Sequence, residues 1–462
     1  MVPSLRHPRR RAISAGALVG ALLLALAPAA REVPRLRLVG PEAVADGVEM
    51  YRSTDASTLN EARPGPVSLV AARLDPRKVT LGTALAHGCA PARDTVSGIA
   101  AREQAVVAIN AGFFSMRGAG APVGLLKHRG RWIGGTSRAR GAVAFPVRAP
   151  GAPARLVFGR VAVGARLVIS SRWQSARVRV DRLSPEPGSA GLSFYGAPCV
   201  VPDEGRALTR NTGVRSIEGP APSGLSAPPQ VGVGRGREGP ASSGLPASGS
   251  VVPADPAHPA DSDGPGSSTR SWPLRQAGVK WEVRSAAPDD RADTRADAWL
   301  VHRGATLPAA LARLQPGASL RVEATIAAEA ARAWQEAPDA VGGAGLLVSH
   351  GKAVTDWTPE KTADGFRADR HPRTLVGVGH DGSIWLIAID GRNPALSVGM
   401  SFAELQRTAL ALGLRDALNL DGGGSTTLVV RGEVVNRPSD PTGPRQVSDA
   451  IVVRLRPAAG GA

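Results

Sequence analysis

Asn419-Leu420-Asp421-Gly422-Gly423-Gly424-Ser425-Thr426-Thr427 sets a carboxylate directly before three glycines, which hydroxyl residues then close. Glycine has no Cβ, so such a run lets the backbone approach a ligand closely and reach φ > 0. The amides of Gly422, Gly423 and Gly424, with Ser425 and Thr426, suit an anionic group. Asp421 at the mouth offers a general acid, a general base, a nucleophile or a metal ligand. The competing reading is a tight turn between two strands, residues 417–420 and 428–430. On either reading a polar loop joins two apolar runs of strand length. The fold class this predicts is α+β: a mixed β-sheet core with a few flanking helices, and strand ends that carry the chemistry.

The elements around the loop fit that expectation. Ser401 and Glu404 make an S-x-x-E capping box, Phe402, Leu405, Ala409 and Leu412 line one face, and Gly413 suits a left-handed C-cap. This helix leads into the strand before Asp421. Residues 374–378 and 384–389, joined by His380-Asp381-Gly382, read as a hairpin. Further upstream, residues 47–51 and 67–74 read as strands and 94–102 as a short capped helix. The apolar run 105–109 is short enough for a buried strand and delivers Asn110-Ala111-Gly112-Phe113-Phe114 to its end. Residues 298–301 and 319–324 are strand-like, with a short helix between them over 307–314.

The chain has 462 residues, 43% of them hydrophobic, which is ample for a sizeable core. At its start, Arg6, Arg9, Arg10 and Arg11 precede an apolar stretch from Ala15 to Leu26 and the small-x-small triplet Ala27-Pro28-Ala29. That is the layout of a signal peptide over residues 1–30, so an exported protein, periplasmic or extracellular, is expected, with no stable membrane span after cleavage. Export makes a bridge between the two cysteines, Cys89 and Cys199, an expectation, with two buried thiols as the alternative.

Between residues 202 and 275 Pro, Gly, Ser and Ala dominate and apolar periodicity vanishes. Glu218-Gly219-Pro220-Ala221 even returns as Glu238-Gly239-Pro240-Ala241. Such a segment buries too little apolar surface to offset its ordering entropy, which predicts a disordered insertion. The expected organisation is a leader (1–30), an N-terminal part (31–201), the insertion (202–275) and a C-terminal part of the same domain (276–456) that carries most of the site.

The formal net charge of +17 raises nucleic-acid binding, yet the arginines are scattered and neither zinc-finger spacing nor an RNP-like aromatic motif occurs. Nucleic acid is therefore not the expected partner. Weak attraction to acidic envelope polymers fits the charge better.

Polar residues recur at the ends of the apolar runs: Asn110, Arg373, Asp390-Gly391-Arg392, Asn419, Asp421, the glycines, and Asn436-Arg437-Pro438-Ser439-Asp440. Each alone is explained by a turn or a structural ion pair. Together, in this order, the segments 108–114, 370–374, 390–392, 417–426 and 436–440, followed by Arg445-Gln446-Val447, resemble the phosphodiester glycosidase family. The resemblance runs from about residue 47 to 453, apart from the insertion, which departs from the family pattern.

What the resemblance implies is hydrolysis of a glycosyl phosphodiester between the anomeric carbon and the phosphate oxygen. Asp421 is the first choice for the catalytic carboxylate and Asp390 the second. Arg373, then Arg392, would meet the phosphate, since a guanidinium fork matches its oxygens. The loop amides with Ser425 and Thr426 would share it, Asn110 and Asn419 would orient sugar hydroxyls, and Phe113 or Phe114 would pack against an apolar ring face. Asp390, Asp421 and Asp440 also offer hard oxygen ligands for calcium or magnesium, although no cofactor is required by the sequence, and no His/Cys cluster suggests zinc. The alternative is a non-catalytic envelope protein that binds carbohydrate or an anionic polymer.

Overall fold

The computed structural model describes residues 37–53, 65–147, 152–171, 175–185, 189–196, 268–277, 280–283 and 297–457. The expected leader, most of the expected insertion and Cys199 lie outside them. Cys89, within them, is disulfide-bonded.

Strands dominate the described residues. One eight-stranded sheet runs in the order Val39–Ala45, Val48–Ser53, Leu69–Leu74, Ile384–Ile389, Arg373–Gly379, Leu414–Asn419, Leu346–Ser349, Lys352–Ala353. A five-stranded sheet runs Glu433–Val434, Leu428–Val430, Val107–Asn110, Asp449–Leu455, Val79–Leu85. Every pairing within these two sheets is antiparallel. The expected β core with a few flanking helices is present, with strands far outweighing helices and these two sheets wholly antiparallel. The only parallel pair among the described strands joins Arg182–Leu183 to Gly191–Tyr195. That pair lies in a third sheet of twelve strands, spanning residues 126–342.

Alternation of side chains decides how the first two sheets stack. Val70, Ala72 and Leu74 point one way from their strand, into a core shared with Val107, Ile109, Ile451 and Val453 of the five-stranded sheet. Leu69 and Ala71 point the other way, toward Ile387, Ile389 and the helix Phe402–Ala411, which contributes Phe402, Leu405 and Ala409. On the far side, Val96, Ile99 and Ala100 of the helix Val96–Arg102 cover Ala108, Val429, Ala450 and Val452. The result is four layers: helix, sheet, sheet, helix. Each fully buried Leu or Ile contributes roughly 1.5–3 kcal/mol, so the layering rather than any single polar contact holds the sheets together.

Both helices begin as their sequences require. Thr95 accepts the Gly98 amide, and Ser401 and Glu404 form the reciprocal capping box. Glu360, fully buried, accepts the amides of Gly141, Gly345 and Leu346 and the Nε of Arg160, tying the third sheet to the strand Leu346–Ser349. The insertion ends earlier than its composition suggests. Residues 268–275 belong to the strand Ser268–Ala277, because Trp272 and Leu274 alternate into a core with Leu192, Leu300 and Leu320. No helix among the described residues is long and apolar enough to cross a membrane.

Register brings the polar segments together. Arg373 pairs with Ile389, Leu375 with Asn419, Leu428 with Ile109 and Ala450 with Asn110. Residues 110, 373, 390, 419–427 and 449 therefore leave both sheets at one end of the stack.

Candidate functional site

Asn110 is the clip that closes this end. Its side-chain amide donates to the Asp421 carbonyl at 2.7 Å, while its oxygen accepts the Thr374 hydroxyl at 2.9 Å and the Thr427 amide at 3.1 Å. Three of its four hydrogen-bonding positions are thus spent on both ends of the glycine loop and on the neighbouring sheet. Fully buried, it shapes the loop rather than reaching a ligand.

The loop is glycine-rich because its neighbours are close. A Cβ on Gly422 would lie 2.7 Å from the Pro372 carbonyl, and one on Gly424 would overlap Asp440 Oδ1 and the Arg445 guanidinium. Of the three glycine amides, Gly422 donates to Asp421 Oδ1 at 2.9 Å and Gly423 to the Pro372 carbonyl at 2.9 Å. The anion cradle expected from the run is accordingly a loop turned mostly on itself. Its role is to hold Asp421, whose amide is fixed by the Ala111 carbonyl at 3.0 Å.

Asp421 keeps some accessible surface but sits deep enough for burial to push its carboxyl up to about 7. The nearby Ser425 hydroxyl, the Arg445 guanidinium and the Gly422 amide oppose that rise, and Asp449 adds to it. Asp440 and Arg445 form a bidentate pair, Nε to Oδ2 at 2.7 Å and the second arm to Oδ1 at 2.9 Å. Arg392 completes the group. It is exposed, makes no hydrogen bond or ion pair with any described residue, and feels the charges of Arg445, Asp440 and Asp421. Partial desolvation of its inner side, then Arg445, lower its pKa.

Three buried polar atoms in the stretch around the loop, Asn419 Oδ1, Thr427 Oγ1 and Ser439 Oγ, have no partner among the described residues, while the Ser425 hydroxyl bears on the Asp421 carboxyl. Thr426, by contrast, is within 3.3 Å of the Thr374 hydroxyl.

Several expected site residues belong instead to the scaffold. Arg373 is 2% exposed, donates to the carbonyls of Met400, Phe366 and Asp369 at 2.8–2.9 Å, and lies over the rings of Phe366 and Phe402. Burial lowers its pKa to about 9, and its guanidinium faces protein carbonyls rather than a cleft. Asp390, buried, accepts Asn436 Nδ2 at 3.1 Å and the Arg437 amide at 2.9 Å, which fixes the turn over the loop. Burial raises its carboxyl. Asn419 donates to the Ala344 and Leu420 carbonyls. Phe113 packs edge-on against Phe366, and Phe114 joins the helix-side core with Val96 and Ile99. As to a cation, Asp440 is occupied by Arg445 and Asp390 by amides, and among the described residues no three His, Cys, Asp or Glu side chains converge as a ligand set.

Residues 291–454 match the family profile described as phosphodiester glycosidase. The segment is thus similar to the phosphodiester glycosidase family. Over 71 residues the chain is 37% identical to the SPbeta prophage-derived uncharacterized protein YomE of Bacillus subtilis (strain 168), a match that covers 15% of this chain and only 11% of that protein. A hypothetical protein from Synechocystis shares the fold with a TM-score of 0.58 at 21% identity, covering 92% of this chain and 64% of its own. An exported-protein candidate of Burkholderia pseudomallei K96243 does so at 0.57 and 22%, covering 85% and 74%.

Within residues 291–454, three residues stand at the site without having been singled out from sequence. Arg445 was visible only as part of a motif. Asp449, fully buried, accepts the Gly112 amide at 2.7 Å and the Ser448 hydroxyl, and burial raises its carboxyl. It supports the Asn110–Gly112 turn from below, and the Ala111 amide is 3.3 Å from its carbonyl. His371 feels the charge of Arg392. No spacing rule marks a lone Asp at a strand start, so only the fold exposes it.

Proposed function

We propose that this chain is an exported hydrolase that cleaves a glycosyl phosphodiester, with Asp421 as the base. The observation that carries the reading is the Asp421 carboxyl, raised to about 7 at the open end of the sheets and next to an unpaired guanidinium. A carboxyl in that range is well matched to taking a proton near neutrality. Ionised Asp421 accepts a proton from water as the water oxygen bonds to the anomeric carbon. The bond from that carbon to the phosphate oxygen breaks, and its electron pair leaves with the phosphate monoester. Such a leaving group, with a second pKa near 6, departs without the strong acid that a sugar alkoxide needs.

Arg392 binds the phosphate, and Arg445, held rigid by Asp440, adds positive charge beside Asp421. The family match to residues 291–454 supports the reaction class, and the basic and apolar leader supports export. The test is release of sugar and phosphate monoester from a panel of sugar-1-phosphodiesters by the wild type and by Asp421→Asn. Turnover by the wild type that Asp421→Asn lacks is expected; equal turnover by both, or none by the wild type, overturns the proposal.

A further inference from the structure

In the Arg370–Arg373 segment Arg373 is buried and structural, and the backbone of His371 and Pro372 is wedged among three glycines. A Cβ on Gly399 would lie 2.5 Å from the His371 carbonyl, one on Gly391 2.7 Å from the Pro372 nitrogen, and one on Gly422 2.7 Å from the Pro372 carbonyl. His371 also exchanges backbone hydrogen bonds with Met400 at 3.0 and 3.3 Å. The segment is therefore pinned between the loop that carries Arg392 and the loop that carries Asp421.

The imidazole itself is half-buried and makes no hydrogen bond with any described residue. The charges around it are those of Arg373 and Asp369 on its own segment and of Arg392 on the facing loop. Arg370 next to it is neutralised by Glu404 of the helix Phe402–Ala411. Burial, then Arg373 and Arg392, lower the pKa of the ring and so favour its neutral form, and Asp369 opposes them. A neutral imidazole beside an unpaired guanidinium is a site short of negative charge. An arriving dianion would offset the two arginines that disfavour imidazolium, and the ring would then gain a proton to donate.

We propose that His371 and Arg392 form a subsite for a tetrahedral dianion, in which the imidazole takes up a proton as the anion binds and hydrogen-bonds to it. This rests on the hydrolase reading in taking the substrate phosphate as the natural occupant. It makes anion affinity rise as pH falls toward the range where imidazole protonates.

Sulfate is the probe, because it stays a dianion across the neutral range. Titration calorimetry slightly above neutrality, in two buffers of different ionisation enthalpy, counts the protons taken up. The full chain should bind sulfate with uptake approaching one proton, and Asp421→Asn should retain that uptake. His371→Gln should bind more weakly and take up none, and Arg392→Ala should lose most of the affinity. Uptake unchanged in His371→Gln, uptake lost in Asp421→Asn alone, or no sulfate binding by the wild type would each overturn the subsite. Proton-coupled sulfate binding without turnover of any sugar-1-phosphodiester would overturn the hydrolase reading and leave the subsite standing. Turnover with His371-independent anion binding would do the reverse.

Discussion

Asp440 packs so tightly onto Gly424 that a methyl group added to the glycine would overlap the carboxylate oxygen that holds Arg445. Gly424→Ala should therefore break the bidentate pair or displace the loop. A cost of roughly 1–3 kcal/mol is expected for such overpacking. Thermal unfolding and kcat/KM measured on the same preparation check it, and an unchanged melting temperature with full activity would refute the close packing.

The pH dependence of activity should follow Asp421. If its ionised form is the base, kcat/KM rises with pH through about 7, and the product sugar has the inverted anomeric configuration. Rate profiles, with NMR of the first-formed anomer, decide this. A profile flat through that range, or retention, would assign the chemistry elsewhere.

Stability carries the same signature with a definite sign. Folding raises the Asp421 carboxyl from an unfolded value of about 3.9 to about 7. The associated stability is fully present below the unfolded value and is lost as pH rises through the folded one. Asp421→Asn cannot ionise, so its melting temperature relative to wild type should climb between about pH 4 and about pH 7. A difference independent of pH would contradict the raised carboxyl.

The two site arginines should separate cleanly. Arg392→Ala should lower kcat/KM for a phosphodiester by about tenfold to a hundredfold, as expected for a charged hydrogen bond, and leave the melting temperature almost unchanged. Arg373→Ala should instead cost about 3 kcal/mol or more, since it strands three carbonyls and empties the space beside Phe366 and Phe402. Kinetics and denaturant unfolding of both variants measure the contrast.

Asn110→Ala should destabilise the protein by about 2–4 kcal/mol, because the Asp421 carbonyl, the Thr374 hydroxyl and the Thr427 amide all lose their partner. Denaturant unfolding provides the measurement. A loss below about 1 kcal/mol would mean that water replaces the clip.

Much of this frame can be read from the residues. The capping box at Ser401, the hairpin around His380-Asp381-Gly382 and the short strand ending at Asn110 each have a local signal, and each is present. The loop around Asp421 is legible because a carboxylate followed by three glycines has few structural uses. Burial is what the sequence conceals. Arg373 and Arg392 are chemically identical, and only the fold shows that one guanidinium is buried against protein carbonyls while the other is exposed and feels the charge of Asp421. Asp390 and Asp449 are concealed for a similar reason, since backbone amides from distant segments occupy both carboxylates. Residues 268–275 look like loop because Pro273 and serines dilute the pattern, yet Trp272 and Leu274 alternate into a core.

The order of strands bears on how the chain matures. Asp449–Leu455 lies between Val79–Leu85 and Val107–Asn110, and Leu69–Leu74 lies beside Ile384–Ile389. Each central ladder pairs strands far apart in sequence and cannot zip until both have been synthesised, so assembly is slow and its early stages present bare edges. Until both partners of each ladder are present, the apolar faces of these strands stay uncovered and their unpaired backbone groups are open to pairing with other chains.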